Sequence, residues 1–137
     1  MHVFLDLEET LIISWDDPTF CNLQKLRKFF KDREVESFSV FSFAIWDEKD
    51  RVFFCNNLKD SCESALQSKV RSFPSVDDLV SIIGKRNRIS IDRHDLLQLF
   101  GKQNSFIEFC FNEAEKNPNH DNHFVLIDDV VIDCVIE

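Results

Sequence analysis

No apolar run in the 137-residue chain approaches the length of a membrane-spanning helix, which needs about 20 residues. The first residues lack the charged-then-apolar pattern of a secretory leader. Internal repeats, low-complexity segments and linker-like stretches are absent, so the chain is read as one domain, residues 1–137. A chain of this length buries roughly two-thirds of its unfolded surface. Tyrosine is missing while phenylalanine occurs fifteen times, which makes the expected core unusually aromatic. Basic residues are scarce: 16 Lys and Arg stand against 25 Asp and Glu, for a net charge of −9. That argues against a general nucleic-acid binder, because phosphate attraction needs cations; a nucleic-acid end met by a local basic patch is not excluded. Cys21, Cys55, Cys62, Cys110 and Cys134 are an odd set without paired spacing, mostly beside apolar residues. They read as reduced core thiols rather than a disulfide framework. The expected setting is soluble, reducing and cytoplasmic, away from membranes.

What is present is organised around two strand ends. His2-Val3-Phe4-Leu5 reads as a short buried strand that delivers Asp6, with Glu8 two residues on. Near the other end, Phe124-Val125-Leu126-Ile127 again stops on acids, Asp128 and Asp129. In open α/β sheets, ligands bind outside the carboxyl ends of parallel strands. Neighbouring strands of this kind would gather Asp6, Glu8, Asp128 and Asp129 into a set of hard oxygen ligands suited to Mg²⁺.

Asp6-Leu7-Glu8-Glu9-Thr10 resembles the first motif of the haloacid dehalogenase-like (HAD) hydrolases, Asp-x-Asp-x-Thr after an apolar strand, and Ile127-Asp128-Asp129 resembles their fourth. Ser42, in Phe38-Ser39-Val40-Phe41-Ser42, matches the second motif, a hydroxyl ending a strand. Lys102 is the candidate for the third, a Lys at or near a helix start, with Lys59, Lys69 and Lys85 as rivals. The departures are Glu8, where phosphatases of the family carry Asp, and Glu9, where the family carries a small residue. The resemblance implies a Rossmann-like HAD-type fold, a three-layer α/β/α sandwich with a mainly parallel sheet. It also implies a Mg²⁺-dependent phosphatase. Asp6 would be the nucleophile that forms an aspartyl-phosphate, and Glu8 the acid–base. Ser42 and Lys102 would hold the phosphoryl oxygens, and Asp6, the Glu8 carbonyl and Asp128 or Asp129 the metal. No insertion long enough for a large lid separates the first two motifs, and capless members of the family tend to accept bulky or macromolecular substrates.

Between these motifs the pattern predicts the following elements. Asp17 and Pro18 look like the start of a helix whose apolar face is Leu23, Leu26, Phe29 and Phe30. Phe38 to Trp46 alternates like a strand, and Val52-Phe53-Phe54-Cys55 reads as a second strand or buried irregular chain. Asp60 with Glu63 suggests a cap for a short helix running to Lys69. Ser75 with Asp78 suggests another, closed by Gly84. Lys85-Arg86-Asn87-Arg88 is the dense basic run, either a solvated loop or a groove for a polyanion, and Arg88 to Ile91 a possible short strand. Asp92 and Asp95 open a helical stretch ended by Gly101, and Ser105 with Glu108 forms a further capping box. Asn117 to Asn122 is a polar turn, and His120 and His123 lack the spaced partners of a zinc site. Asp133 joins the acidic cluster only if the segment after Asp129 turns helically.

The leading expectation is a phosphomonoesterase acting on a small phosphoester or a nucleic-acid 3′-phosphate. The alternatives are a binding or regulatory protein on the same fold, with a site degraded at Glu8 and Glu9, and an α/β domain whose acidic strand ends are merely solvated.

Overall fold

A computed structural model describes residues 1–118 and 121–136. The elements run β1 (His2–Leu5), α1 (Leu23–Asp32), β2 (Ser37–Val40), α2 (Glu48–Asn57), α3 (Lys59–Leu66), β3 (Lys69–Val70) and α4 (Val76–Asn87). There follow α5 (Arg93–Asp95), which passes into a π-helical turn Leu96–Phe100, then α6 (Gly101–Lys116), β4 (His123–Ile127) and β5 (Val131–Val135). One five-stranded sheet has the order β3-β2-β1-β4-β5. β3, β2, β1 and β4 are parallel, and β5 is antiparallel to β4. The protein is an α/β protein with a mostly parallel sheet.

Strand alternation sends side chains to opposite faces, and each face has its own core. Val3, Leu5, Phe38, Val40, Val125 and Ile127 pack under α1, α2 and α3. Phe4, Phe124 and Leu126 pack under α4 and α6. Phenylalanines serve both cores, with Phe30, Phe38 and Phe54 buried in the first and Phe4, Phe41, Phe106, Phe109 and Phe124 in the second. The Phe4 ring lies 5.3 Å from Phe106, 5.6 Å from Phe109 and 6.5 Å from Phe41, all near edge-to-face, the arrangement that aromatic quadrupoles favour.

Several predicted elements differ from those observed, each for a local reason. Val52 to Cys55 lies within α2, because Asp47 caps the helix by accepting the Asp50 N–H. Of that apolar run Phe54 is buried while Val52 and Phe53 are exposed. β2 stops at Val40, so Phe41 to Trp46 is a loop. Asp17 and Pro18 belong to a hairpin: Ser14 and Asp17 exchange backbone hydrogen bonds of 3.0 and 3.2 Å, and Ile12 pairs antiparallel with Phe20. α1 begins only at Leu23, after a left-handed Asn22. Asp60 caps nothing; α3 starts at Lys59 and ends at a left-handed Gln67, and Lys69 is in β3. The Ser75–Asp78 capping box is present, but α4 runs through Gly84 to Asn87, with Arg88 as its left-handed cap. Residues 88–91 are therefore not a strand. Asp92 and Asp95 do form a capping box. Gly101 ends that stretch as the cap of its π-helical turn, its N–H donating to the Leu96 carbonyl, but α6 starts at the same residue. Ser105 lies inside α6, fully buried, rather than at a cap. His123 opens β4 instead of lying in a turn. His120 lies outside the described residues. Among the described residues, no helix is long and apolar enough to cross a membrane.

Candidate active site

Register builds the site. β1 and β4 pair Leu5 with Ile127, and the Asp6 N–H donates to the Ile127 carbonyl at 3.0 Å. One step further places Asp6 opposite Asp128, at the carboxyl ends of two adjacent parallel strands. Alternation fixes their direction. Asp6 follows Phe4 and Asp128 follows Leu126 at a spacing of two, and Phe4 and Leu126 face α6. Asp129, one residue out of phase, is exposed, and its N–H donates to the Asp128 carboxylate at 2.8 Å. The fourth motif offered Asp129 or Asp128 as the partner of Asp6; the register brings Asp128 there and leaves Asp129 outside the cluster.

On that face α6 begins. Lys102, in its first turn, places Nζ 2.7 Å from Asp6 Oδ1 and 2.9 Å from Asp128 Oδ2. The rival lysines are placed elsewhere: Lys59 pairs with Glu63, Lys69 lies in β3, and Lys85 lies in the last turn of α4. Gly101 makes this start possible. Its φ of 69° and ψ of −175° are a conformation open essentially to glycine. The ammonium also sits 5.9 Å from the centre of the Phe43 ring, within cation–π reach. Phe43 belongs to the loop after β2, and nothing in the sequence singled it out.

Burial pushes the Asp6 carboxyl above its ordinary value, and the neighbouring Asp128 charge adds to the rise, against the downward pull of Lys102. Desolvation acts upward on Asp128 too, but the Lys102 hydrogen bond and charge outweigh it, with help from the Asp129 N–H, and leave it below the usual carboxylate range. Two carboxylates on one ammonium therefore titrate apart.

Glu8 is differently engaged. Its Oε2 accepts the N–H of Trp15 at 2.8 Å. This is a consequence of the chain path after β1. The Leu7 carbonyl accepts N–H groups from Thr10, Leu11 and Ile12, a single wide turn, and Glu9 takes a positive φ of 62° within it. The hairpin from Leu11 to Cys21 follows, and Glu8 ties its tip to the turn. Ser42 is buried beyond the end of β2, with Oγ accepting the Ala44 N–H at 3.2 Å. Its neighbour Phe43 touches Lys102. Thr10 Oγ1 and Ser105 Oγ are buried without a hydrogen-bond partner.

Asp133 lies in extended β5, and its carboxylate accepts from His123 Nε2 at 2.8 Å, at the opposite end of β4 from Asp128. It takes no part in the cluster. The basic run is also remote. Arg86 pairs with Glu108 and Glu115, and Glu115 stands roughly 20 Å along α6 from Lys102 at 1.5 Å per residue. A cavity of about 450 Å³ opens near the start of the strands between α4 and α6, lined by residues such as His2, Ser39, Arg71, Ser81, Phe109 and Lys116. Asp6, Lys102 and Asp128 do not line it.

Among the described residues, no group of three or more His, Cys, Asp and Glu side chains is placed to hold a metal ion. At the strand ends the converging hard oxygens are those of Asp6 and Asp128. Compared with protein-family models, with curated proteins and with solved structures, the chain matches none.

Proposed function

We propose that the chain is a phosphomonoesterase of the HAD-like type, Rossmann-like in fold, with Asp6 as nucleophile. One observation carries this reading: Asp6, Asp128 and Lys102 meet where two parallel strands end against a helix start. A cation beside a carboxylate, with the free N–H groups of a helix N-terminus behind it, suits a group that arrives bearing negative charge. The order β2-β1-β4 supports it as well, because the crevice at the carboxyl ends is the usual ligand site of such sheets.

In this reading a phosphoryl oxygen replaces one carboxylate on Lys102. Asp6 attacks phosphorus as the P–O ester bond breaks, the Glu8 carboxylic acid gives its proton to the departing ester oxygen, and the resulting Glu8 carboxylate takes a proton from the water that hydrolyses the aspartyl-phosphate. Asp6 must be ionised to attack. Mg²⁺ takes one or two carboxylates and keeps several waters; Asp6 and Asp128 fit that sparse set. When bound there, the ion would offset the repulsion between carboxylate and phosphoryl group. Glu8 has to leave the Trp15 N–H before its carboxyl group can serve the departing oxygen. The remoteness of the basic run favours a small phosphoester over a nucleic-acid 3′-phosphate.

The test is hydrolysis of an aryl phosphate with Mg²⁺ and with EDTA, for wild type and Asp6→Asn. Turnover that needs Mg²⁺ and vanishes in the near-isosteric Asp6→Asn is expected; full activity in that variant refutes the mechanism. A second reading, a binding or regulatory protein on the same scaffold, is favoured by the engagement of Glu8 with Trp15. It predicts no turnover, with Mg²⁺ still raising the melting temperature of wild type but not of Asp128→Asn.

A further inference from the structure

Strand alternation leaves a gap in the second core. Along β2, Phe38 and Val40 face α1 to α3, so Ser37 and Ser39 face the opposite side, where β1 and β4 supply Phe4, Phe124 and Leu126. On α4, Ser81 lines the same space. Small hydroxyl side chains stand here where close packing of helix on sheet calls for bulk. The space they leave is the cavity of about 450 Å³ between α4 and α6, room for roughly fifteen waters at about 30 Å³ each. Protein interiors hold few voids larger than one water, whereas small-molecule sites measure roughly 300–1,000 Å³ and combine an apolar lining with a few placed polar groups.

The polar groups on the wall favour one kind of ligand. Arg71 donates to His2 Nδ1 at 3.2 Å and forms no ion pair among the described residues. Arginine has donors only, so this ring nitrogen accepts, and the His2 ring proton sits on Nε2, which donates to the Asp121 carbonyl at 2.6 Å. The guanidinium thus faces a neutral ring, in a chain with nine more acids than bases, and its charge is left for an anion. On the same wall Ser72 and Ser39 lie Oγ to Oγ at 2.8 Å, and Ser39 is 6% exposed. One of their two hydroxyl protons joins the pair; the other has no acceptor among the described residues, a vacancy that an oxyanion would fill. Two of the wall's carboxylates are engaged, Asp78 by the Ser75 N–H and Asp121 by the His123 N–H, and Glu113 lies one turn before Lys116 on α6. We propose that the cavity is a second ligand site, which takes a small organic acid. Its carboxylate lies on Arg71 and the serine pair, and its apolar body against Phe4, Ile82 and Phe109, which line the cavity. One arginine matches one negative charge, and its planar fork suits a carboxylate. The site is at the opposite end of β1 from Asp6, so it stands or falls apart from the phosphoester reading.

The probes are octanoate, its neutral analogue octanamide, and octyl phosphate, each titrated into the full chain by calorimetry. Two variants accompany the wild type. Arg71→Gln removes the cation from an exposed position, and Ser81→Phe fills the cavity from an exposed position on α4. Circular dichroism verifies both folds, and Arg71→Gln decides the question if the bulkier variant does not fold. Octanoate should bind one-to-one and roughly tenfold or more tighter than octanamide, the factor a charge-assisted hydrogen bond supplies. Arg71→Gln should remove that advantage, and Ser81→Phe should abolish octanoate binding. Equal binding of octanoate and octanamide, or an advantage that survives Arg71→Gln, overturns the anion on Arg71 and with it the proposal. Octanoate binding that survives Ser81→Phe places the ligand elsewhere and overturns the cavity as its site. Octyl phosphate held more tightly than octanoate, in a manner that Ser81→Phe blocks, overturns the carboxylate as head group. Absence of binding by all three overturns the site altogether.

Discussion

Replacing Lys102 by Met keeps most of the side chain's length and removes the charge shared by Asp6 and Asp128. In the wild type the ammonium is 2.7 and 2.9 Å from the two carboxylates, and the three side chains are 23%, 10% and 18% exposed. Removing one member of a buried ion cluster costs on the order of 3–5 kcal/mol, and partial solvent access places this case near about 3 kcal/mol. For a chain of this size about 1 kcal/mol moves the midpoint by roughly 3–4 °C, so a loss of about 10 °C is expected at pH 7.5. The pH dependence is the sharper test. In the variant both carboxyls lose their cation and keep their burial and mutual repulsion, so both folded-state pKa values rise above the unfolded value. A group raised in this way contributes stability below its unfolded pKa and loses it as pH climbs through the folded one. In the wild type only Asp6 acts in that sense; Asp128 is lowered and acts in the opposite one. The gap between the two proteins therefore narrows toward pH 4. Thermal melts followed by circular dichroism from pH 4 to 8 measure it. A gap that is constant across that range, or absent at pH 7.5, refutes the electrostatic account. Adding Asp128→Asn to the variant relieves the repulsion and should return part of the loss.

Two further outcomes are expected. Ser75→Ala removes the side chain that accepts the Asp78 N–H and dismantles the α4 capping box; a loss of about 1 kcal/mol should appear as a lower urea midpoint with an unchanged slope. In thiol labelling at pH 8, exposed Cys55 should react first. Burial pushes the Cys62 thiol up to about 12, with the Glu63 charge adding to the rise, and burial likewise raises Cys110, so both should label only as the protein unfolds. Rapid labelling of Cys62 in the native protein would contradict its burial.

The parts of the site that lie on strands were legible, because a short apolar run ending in an acid leaves little freedom. β4 was expected over Phe124 to Ile127 and spans His123–Ile127. The helix starts at Ser75 and Asp92 were legible for a similar reason, since an Asp three residues on closes the capping box. The same local signal misled at Ser105 and Glu108, where α6 had already begun four residues earlier. Capping chemistry marks a site that can start a helix, and tertiary packing chooses among such sites. Val52 to Cys55 misled because four apolar residues carry no period long enough to separate strand from helix. The choice of Asp128 over Asp129 depends on pairing between strands about 120 residues apart in sequence. Pairing of Glu8 with the Trp15 backbone left no trace either, since every residue but proline offers an N–H.

The anchors on either side of the glycine between the π-helical turn and α6 decide how this region responds to changes in length. Upstream of Gly101, α5 is fastened to α4 through Arg93, which donates to both carboxylate oxygens of Asp77 at 2.7 and 2.8 Å. Downstream, α6 is fastened to the sheet by Phe106, Phe109 and Cys110. Between these anchors Leu96 is fully buried in the same cluster as Phe106, Phe109 and Cys110, Phe100 packs against that cluster, and the joint itself has free space where a side chain would project. One residue added or lost between Leu96 and Gly101 would therefore move Leu96 out of that cluster or shift the start of α6. The same change between Lys102 and Phe106 would rotate the lysine about 100° around the helix axis and shift it about 1.5 Å along it. The ammonium would then turn away from the strand ends, although composition and core would be untouched. Along this stretch, the interval from Leu96 to Gly101 is fixed by the burial of Leu96, and the four-residue interval from Lys102 to Phe106 by the position of the charge.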